Sequence, residues 1–340
     1  MKKFIVLGGA GFIGCNLVAR LLARGDDVLI YDNLSRRGAE RNLEWLKSLF
    51  GPRARADIAD VRDAAALAAA ARGVDVVYHL AAQVAVTTSV LDPRSDFELN
   101  ALGTFNALEA ARQSPSDPIF IYASTNKVYG GMEDVAVVEQ STRYAYRDLP
   151  NGVSEAQPLD FHSPYGCSKG TGDQYTRDYH RIYGLRTVVF RQSCIYGPRQ
   201  FGVEDQGWLA WFAIAAQLGK PITLYGDGKQ VRDVLHVDDL IDAYDAAIAR
   251  IDAAAGRVYN VGGGPANTIS VWREFGPLLE RLLGRSIPVG TADWRPGDQK
   301  VFVSDTSRAR AELGWRPRIT VEQGLAQLVG WVSENRALFS

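Results

Sequence analysis

Tyr165 and Lys169 stand four residues apart, a spacing that puts both side chains on one face of a helix. A phenol has a pKa of about 10 and is a poor base at neutral pH, but a neighbouring ammonium favours the phenolate. Such a pair can take the proton of a substrate hydroxyl while a hydride leaves the same carbon. The hydride needs an acceptor, and the start of the chain offers a place for one: Lys3-Phe4-Ile5-Val6-Leu7-Gly8-Gly9-Ala10-Gly11-Phe12-Ile13-Gly14. An apolar run, glycines at 9, 11 and 14, and an apolar-periodic segment after them read as strand, tight turn and helix. The backbone N–H groups of such a helix start receive a pyrophosphate. A second apolar run, Val28 to Tyr31, ends at Asp32. A carboxylate there accepts the adenosine ribose hydroxyls and repels a 2′-phosphate, which favours NAD over NADP. Arg36 and Arg37 follow closely and temper that preference.

These groups need a scaffold. Apolar runs predict strands at 3–8, 27–32, 53–57, 74–79, 118–123 and 186–191. Amphipathic spacing predicts helices at 12–24, 40–49, 63–71, 97–113 and 166–183, with Pro164 suited to the first turn of the last. Strands alternating with helices imply an α/β fold, a doubly wound parallel sheet of the Rossmann type with ligands at the carboxyl ends of the strands. After residue 192 the pattern loosens. The stretch 196–207 reads as loop, Gly226-Asp227-Gly228 as a turn, and Val258 to Val261 as a strand broken by Gly262-Gly263-Gly264-Pro265. The expected division is a dinucleotide-binding domain of 1–192 with about 232–262, and a smaller C-terminal α/β domain of about 193–231 with 263–340. The helices at 97–113 and 166–183 carry apolar residues on more than one face, which would suit a subunit contact.

Bulk properties exclude several classes. The chain has 340 residues, 46% of them hydrophobic and 23% charged, with a net charge of −1. That is ample for a large core and gives no general attraction to nucleic acid or an anionic membrane. No apolar run reaches the length of a membrane span, and the first residues enter a strand without a signal-peptide pattern. Cys15, Cys167 and Cys194 and the four histidines (79, 162, 180, 236) fall in no metal-ligand or disulfide spacing. The expectation is a cytoplasmic enzyme with no metal.

The motifs together resemble the extended short-chain dehydrogenase/reductases, the group of nucleotide-sugar epimerases and dehydratases, over nearly the whole chain. Beyond the glycine turn and Tyr165-x-x-x-Lys169, the resemblance rests on His79-Leu80-Ala81-Ala82, Asn100-x-x-Gly103-Thr104, Tyr196-Gly197-Pro198-Arg199-Gln200 and Gly226-Asp227-Gly228-x-Gln230-x-Arg232-Asp233. Arg295-Pro296-Gly297-Asp298 and Leu313-Gly314-Trp315-x-Pro317 complete it. It implies Thr125 as the hydroxyl that bonds the reacting oxygen, Tyr165 as base, and Lys169 on the nicotinamide ribose. NAD contacts are implied at Gly8, Gly11, Phe12, Ile13, Gly14, Asp32, Asn33, Leu80, Ala81, Ala82 and Asn100, with Asp60 and Val61 on the adenine. Arg232 and Arg295 match arginines that clamp the sugar-nucleotide diphosphate, a role suited to a planar, permanently charged fork.

Dehydratases of the group carry Asp-Glu after the catalytic threonine, whereas this chain has Asn126-Lys127, which cannot supply that carboxylate chemistry. Epimerisation or simple dehydrogenation remains. Ser124-Thr125-Asn126-Lys127-Val128-Tyr129-Gly130, Gln83-Val84-Ala85-Val86-Thr87-Thr88-Ser89 and Asp160-Phe161-His162-Ser163-Pro164-Tyr165 are similar to the branch of the family that inverts C2 of a CDP-3,6-dideoxyhexose through a keto intermediate. Gln83, Thr87, Asn126, Lys127 and Gln200 are then candidates for holding the sugar nucleotide. Two departures bear on the substrate. Cys194 stands where related epimerases often have an Asn on the diphosphate, and Pro198 where this branch tends to have a glycine. A UDP-hexose or UDP-hexuronate 4-epimerase and a non-catalytic NAD-binding regulator stay open as alternatives. A homodimer is usual in the family.

Overall fold

The computed structural model describes residues 1–294 and 298–339. They form two compact units interleaved along the chain.

The first unit comprises 1–128, 161–191 and 244–259. Its frame is a seven-stranded parallel sheet. In spatial order its strands are Arg257–Val261, Thr187–Gln192, Ile119–Thr125, Val76–His79, Lys3–Leu7, Asp27–Asp32 and Arg55–Ile58. The central strands are apolar along their length rather than alternating, because helices cover both faces. The chain begins in the middle, steps outward to 27–32 and 55–58, then returns to the opposite side of Lys3–Leu7 at Val76–His79. The order therefore reverses beside the glycine turn, and at such a reversal the chain ends of adjacent strands diverge and leave a crevice.

Most predicted elements of this unit are present within a residue or two: strand 27–32 is observed as Asp27–Asp32, and helix 12–24 as Phe12–Ala23. The predicted helix 166–183 begins earlier, at Ser163, so that Pro164 sits in its first turn as expected. The predicted helix 97–113 differs. It is built from the short helix Pro93–Phe97, a π-helical turn Glu98–Leu102, and the helix Gly103–Arg112. Its extra residue per turn brings Asn100 to face Gln83, whose backbone N–H donates to Asn100 Oδ1 at 2.9 Å.

The second unit comprises 129–160, 192–243 and 260–339. Val231–His236 is its central strand, paired with Cys194–Tyr196 and Val301–Phe302 in parallel and with Thr268–Ser270 antiparallel. Its core joins Leu209, Phe212 and Ile214 of the helix Trp208–Leu218 to Leu325, Leu328 and Val332 of the helix Val321–Glu334. Thr320 and Gln323 close a reciprocal cap on that last helix. The two units divide the chain differently from the expected domains at 129–160, 232–243 and 260–262. Residues 129–160 belong to the second unit: the hairpin Val137–Glu139/Tyr144–Tyr146 packs Tyr144 with Val231, Val301 and Val303, and Tyr144 N–H donates to the Lys229 carbonyl at 3.0 Å. Residues 232–243 also fall in it, because Val231–His236 finds its strand partners there.

Candidate active site

Thr125 ends the strand Ile119–Thr125, and Tyr165 and Lys169 occupy the first two turns of the helix Ser163–Tyr183. All three are buried. The Thr125 hydroxyl lies beside the Tyr165 phenol and acts to lower its pKa. Its Oγ1 also accepts the Lys127 N–H at 3.2 Å and donates to Asn126 Oδ1 at 3.3 Å. The Tyr165 backbone N–H, unsatisfied within its own helix start, donates to Ser89 Oγ at 3.2 Å. Lys169 Nζ donates to the Ala123 carbonyl at 2.6 Å and lies 4.4 Å from the centre of the Tyr122 ring. Sequence spacing implied that Lys169 would draw the phenol down. The structure shows burial prevailing: it pushes Tyr165 up to about 12, against the lowering effect of the nearby Thr125 hydroxyl, and pulls Lys169 down to about 7.

Behind this pair lies a polar layer that the sequence reading did not single out. Asp173 continues the same helical face at positions 165, 169 and 173, and its carboxylate takes Arg191 in a bidentate pair, both bonds 2.9 Å. Ser124 Oγ donates to the same carboxylate at 2.7 Å. On the other side, Asp96 accepts Ser168 Oγ at 2.5 Å. The repeated spacing of four is the signal that could have revealed Asp173. Asp96 carries none, since a lone aspartate is ordinarily a surface residue.

The glycine turn is built for close backbone approach. Gly8 has φ +82°, and a Cβ on it would lie 2.7 Å from the Ala81 nitrogen. A Cβ on Gly14 would lie 2.1 Å from the Gly8 carbonyl oxygen. The helix Phe12–Ala23 that follows has no side-chain cap at Gly11, so its first N–H groups are left for a ligand. Asp32 closes the crevice: its carboxylate accepts Ala10 N–H at 3.0 Å and Leu34 N–H at 2.8 Å. Burial raises its pKa even so. Asp60 is held by a bidentate Arg62 and by Asn33 Nδ2 at 2.8 Å, and hydrogen bonding from Arg62 lowers it to about 2. Asn106 Nδ2 fixes the Val61 carbonyl at 3.0 Å. These features fit a dinucleotide: a tight turn without side chains, an uncapped helix start and a carboxylate about a strand–helix–strand unit further on. Gly14→Ala should raise the dissociation constant for NAD about tenfold or more, equivalent to about 1.4 kcal/mol. Isothermal titration calorimetry would show it, and unchanged affinity would contradict this reading of the turn.

The candidate sugar contacts divide between the units. In the first, Gln83 is buried and turned onto its own chain, donating to the Ala85 carbonyl at 2.7 Å, with Ala85 N–H returned to its Oε1. Thr87 is exposed on the helix Val86–Leu91, and Asn126 is buried beside Thr125. In the second, Cys194 is half-buried on its strand opposite Val234. Gln200 is buried, with Nε2 donating to the Ile195 carbonyl at 3.3 Å. Arg232 donates to Asp298 at 2.7 Å and to the Val231 carbonyl at 2.8 Å. Arg295 lies outside the described residues. Among those described, no group of three or more His, Cys, Asp or Glu could hold a metal, and no helix is long and apolar enough to cross a membrane.

Residues 4–262 match the model of the NAD dependent epimerase/dehydratase family. The chain belongs to that family. It is 44% identical over 337 residues to the CDP-paratose 2-epimerase of Salmonella typhi, covering 97% of this chain and 99% of that one. Among solved structures, a UDP-glucose 4-epimerase from Thermus thermophilus in complex with NAD superposes with a TM-score of 0.81 at 32% identity, covering 98% of this chain and 99% of that one. The dTDP-glucose 4,6-dehydratase DesIV of Streptomyces venezuelae, with NAD bound, gives 0.83 at 32% identity, with 98% of each chain covered. NAD is accordingly the cofactor of this epimerase/dehydratase chain.

Proposed function

We propose that this chain is a nucleotide-sugar epimerase that inverts C2 of a CDP-3,6-dideoxyhexose, converting CDP-paratose to CDP-tyvelose. The observation that carries the reading is the buried Thr125 hydroxyl beside the Tyr165 phenol, followed in the chain by Asn126-Lys127. The site holds a hydroxyl and a base for a carbinol, and the two residues after Thr125 have no carboxylate with which to eliminate water. The 44% identity to a CDP-paratose 2-epimerase supports the choice of sugar.

In this reading Gly8, Gly11, Phe12, Ile13 and Gly14 would hold the NAD pyrophosphate, Asp32 and Asn33 its adenosine ribose, and Asp60 and Val61 its adenine. Leu80, Ala81, Ala82 and Asn100 would line its path, and Lys169 would bind the nicotinamide ribose. When bound, NAD supplies a reversible acceptor for the hydrogen and two electrons that leave C2. Tyr165 takes the C2 hydroxyl proton as the C2–H bond breaks, and Thr125 bonds the oxygen as it becomes a ketone. After the ketone presents its other face, Tyr165 returns the proton to that oxygen and the inverted carbinol forms. Protons and electrons balance over the cycle, so no other oxidant is consumed.

Incubation with CDP-, UDP-, GDP- and dTDP-sugars, with products read by NMR, tests the assignment. CDP-paratose deuterated at C2 should give CDP-tyvelose that keeps its deuterium. Inversion of a UDP-hexose or UDP-hexuronate at C4, with no turnover of CDP-sugars, would replace this reading by the 4-epimerase. We also place a homodimer contact on the helices Gly103–Arg112 and Ser163–Tyr183, where Phe105, Tyr175, Ile182 and Tyr183 are exposed. Light scattering should return twice the chain mass, falling to one chain mass for Ile182→Glu.

A further inference from the structure

Asp96 is fully buried, yet among the described residues it forms no ion pair. Its carboxylate accepts the Ser168 hydroxyl at 2.5 Å and the Asn100 amide at 3.1 Å. Ser168 lies between Tyr165 and Lys169 on the helix Ser163–Tyr183, so the carboxylate is tethered to the turn that carries both. The Asn100 amide spans Asp96, Ser168 (3.1 Å) and the Gln83 carbonyl (3.1 Å), which fixes the π-helical turn to that helix. The other buried carboxylate near Lys169, that of Asp173, is already matched by Arg191.

We infer that Asp96 is the buried counter-charge of the Tyr165–Lys169 pair, a positioning residue that sets how both groups hold their protons. The inference rests on Tyr165 being the base. A charge in a dry interior is retained when it is offset by another: burial raises the Asp96 carboxyl, and the Ser168 hydrogen bond and then the Lys169 charge act against that. The field acts in the other direction as well. Asp173 and Asp96 are the groups that support the Lys169 ammonium against burial, and Asp96 also disfavours the Tyr165 phenolate.

Other charges face the pair. Arg36, after the strand Asp27–Asp32, acts on Tyr165 in the opposite sense to Asp96. His79, at the end of Val76–His79, is lowered to about 3 by burial, and so is neutral. Glu98, in the π-helical turn, is turned to Arg62 and Arg94. Arg191, from Thr187–Gln192, is taken up by Asp173.

One carboxylate therefore favours the protonated form of two groups with opposite requirements. The active form needs Tyr165 without its proton and Lys169 with its own, so the two ionisations together set the acid and alkaline limbs of the pH–rate profile. Asp96→Asn keeps the shape and an acceptor for Ser168 but removes the charge. With CDP-paratose, both limbs should move together to lower pH by roughly half a unit or more. Ser168→Ala disturbs the same packing and keeps the charge, so its limbs should match the wild type.

A titration of the Tyr165 13Cζ resonance, identified by its loss in Tyr165→Phe, needs no substrate. It should begin at lower pH in Asp96→Asn. If that variant does not fold, Asp96→Ser serves in both measurements. Limbs and resonance unmoved in the Asp96 variants, or moved equally by Ser168→Ala, overturn the inference. Turnover surviving in Tyr165→Phe would instead refute the base assignment beneath it.

Discussion

Tyr165→Phe should lose about 10²- to 10⁴-fold in turnover while still binding NAD. The substitution deletes one oxygen from a side chain that is only 8% exposed, so the ring keeps its packing and the helix Ser163–Tyr183 keeps its start. What disappears is the group that takes the substrate proton. The Thr125 hydroxyl remains, but its ordinary acidity is too weak for it to substitute as base at neutral pH. Lys169 stays bonded to the Ala123 carbonyl, which is set by the strand and not by the phenol. Single-turnover kinetics would separate the chemical step from binding, and calorimetry would confirm that NAD affinity is retained. A variant that turns over at the wild-type rate would remove Tyr165 from the mechanism.

The largest stability effect is expected at Arg191. Its guanidinium and the Asp173 carboxylate are 2% and 0% exposed, and each satisfies the other through two hydrogen bonds. Arg191→Met leaves the carboxylate buried without its cation, which should cost about 3–5 kcal/mol in urea unfolding. Replacing both partners, as in Asp173→Leu with Arg191→Met, removes the pair and its desolvation together. It should recover most of that loss, because well-packed apolar groups often equal a buried ion pair. A double variant no more stable than the single one would mean that the pair contributes through Ser124 and the strand end at Thr125, and not through its charges.

Much of the first unit was legible because its signals are local. The strand Asp27–Asp32 and the helix Phe12–Ala23 follow from hydrophobic periodicity and the glycines between strand and helix. Thr125, Tyr165 and Lys169 followed from spacing and family resemblance, and the structure brings the phenol to the Thr125 hydroxyl. The π-helical turn at Glu98–Leu102 was illegible because one extra residue in a turn leaves the apolar pattern on either side looking like one continuous helix. The short helix Val86–Leu91 and the hairpin at 137–146 were missed for a related reason: elements of a few residues depend on what they pack against more than on their own sequence. Gln83, a candidate for the sugar, also bonds the Ala85 backbone, an arrangement set by local backbone groups that composition does not display.

The strand Arg257–Val261 forms one border of the seven-stranded sheet whose opening strand is Lys3–Leu7. During synthesis the N-terminal dinucleotide turn leaves the ribosome long before that border strand exists. Until it arrives, Thr187–Gln192 is an uncovered apolar edge able to recruit another chain. Nascent copies of this protein are thus most exposed to aggregation late in translation, and chaperone capture would matter most in that interval.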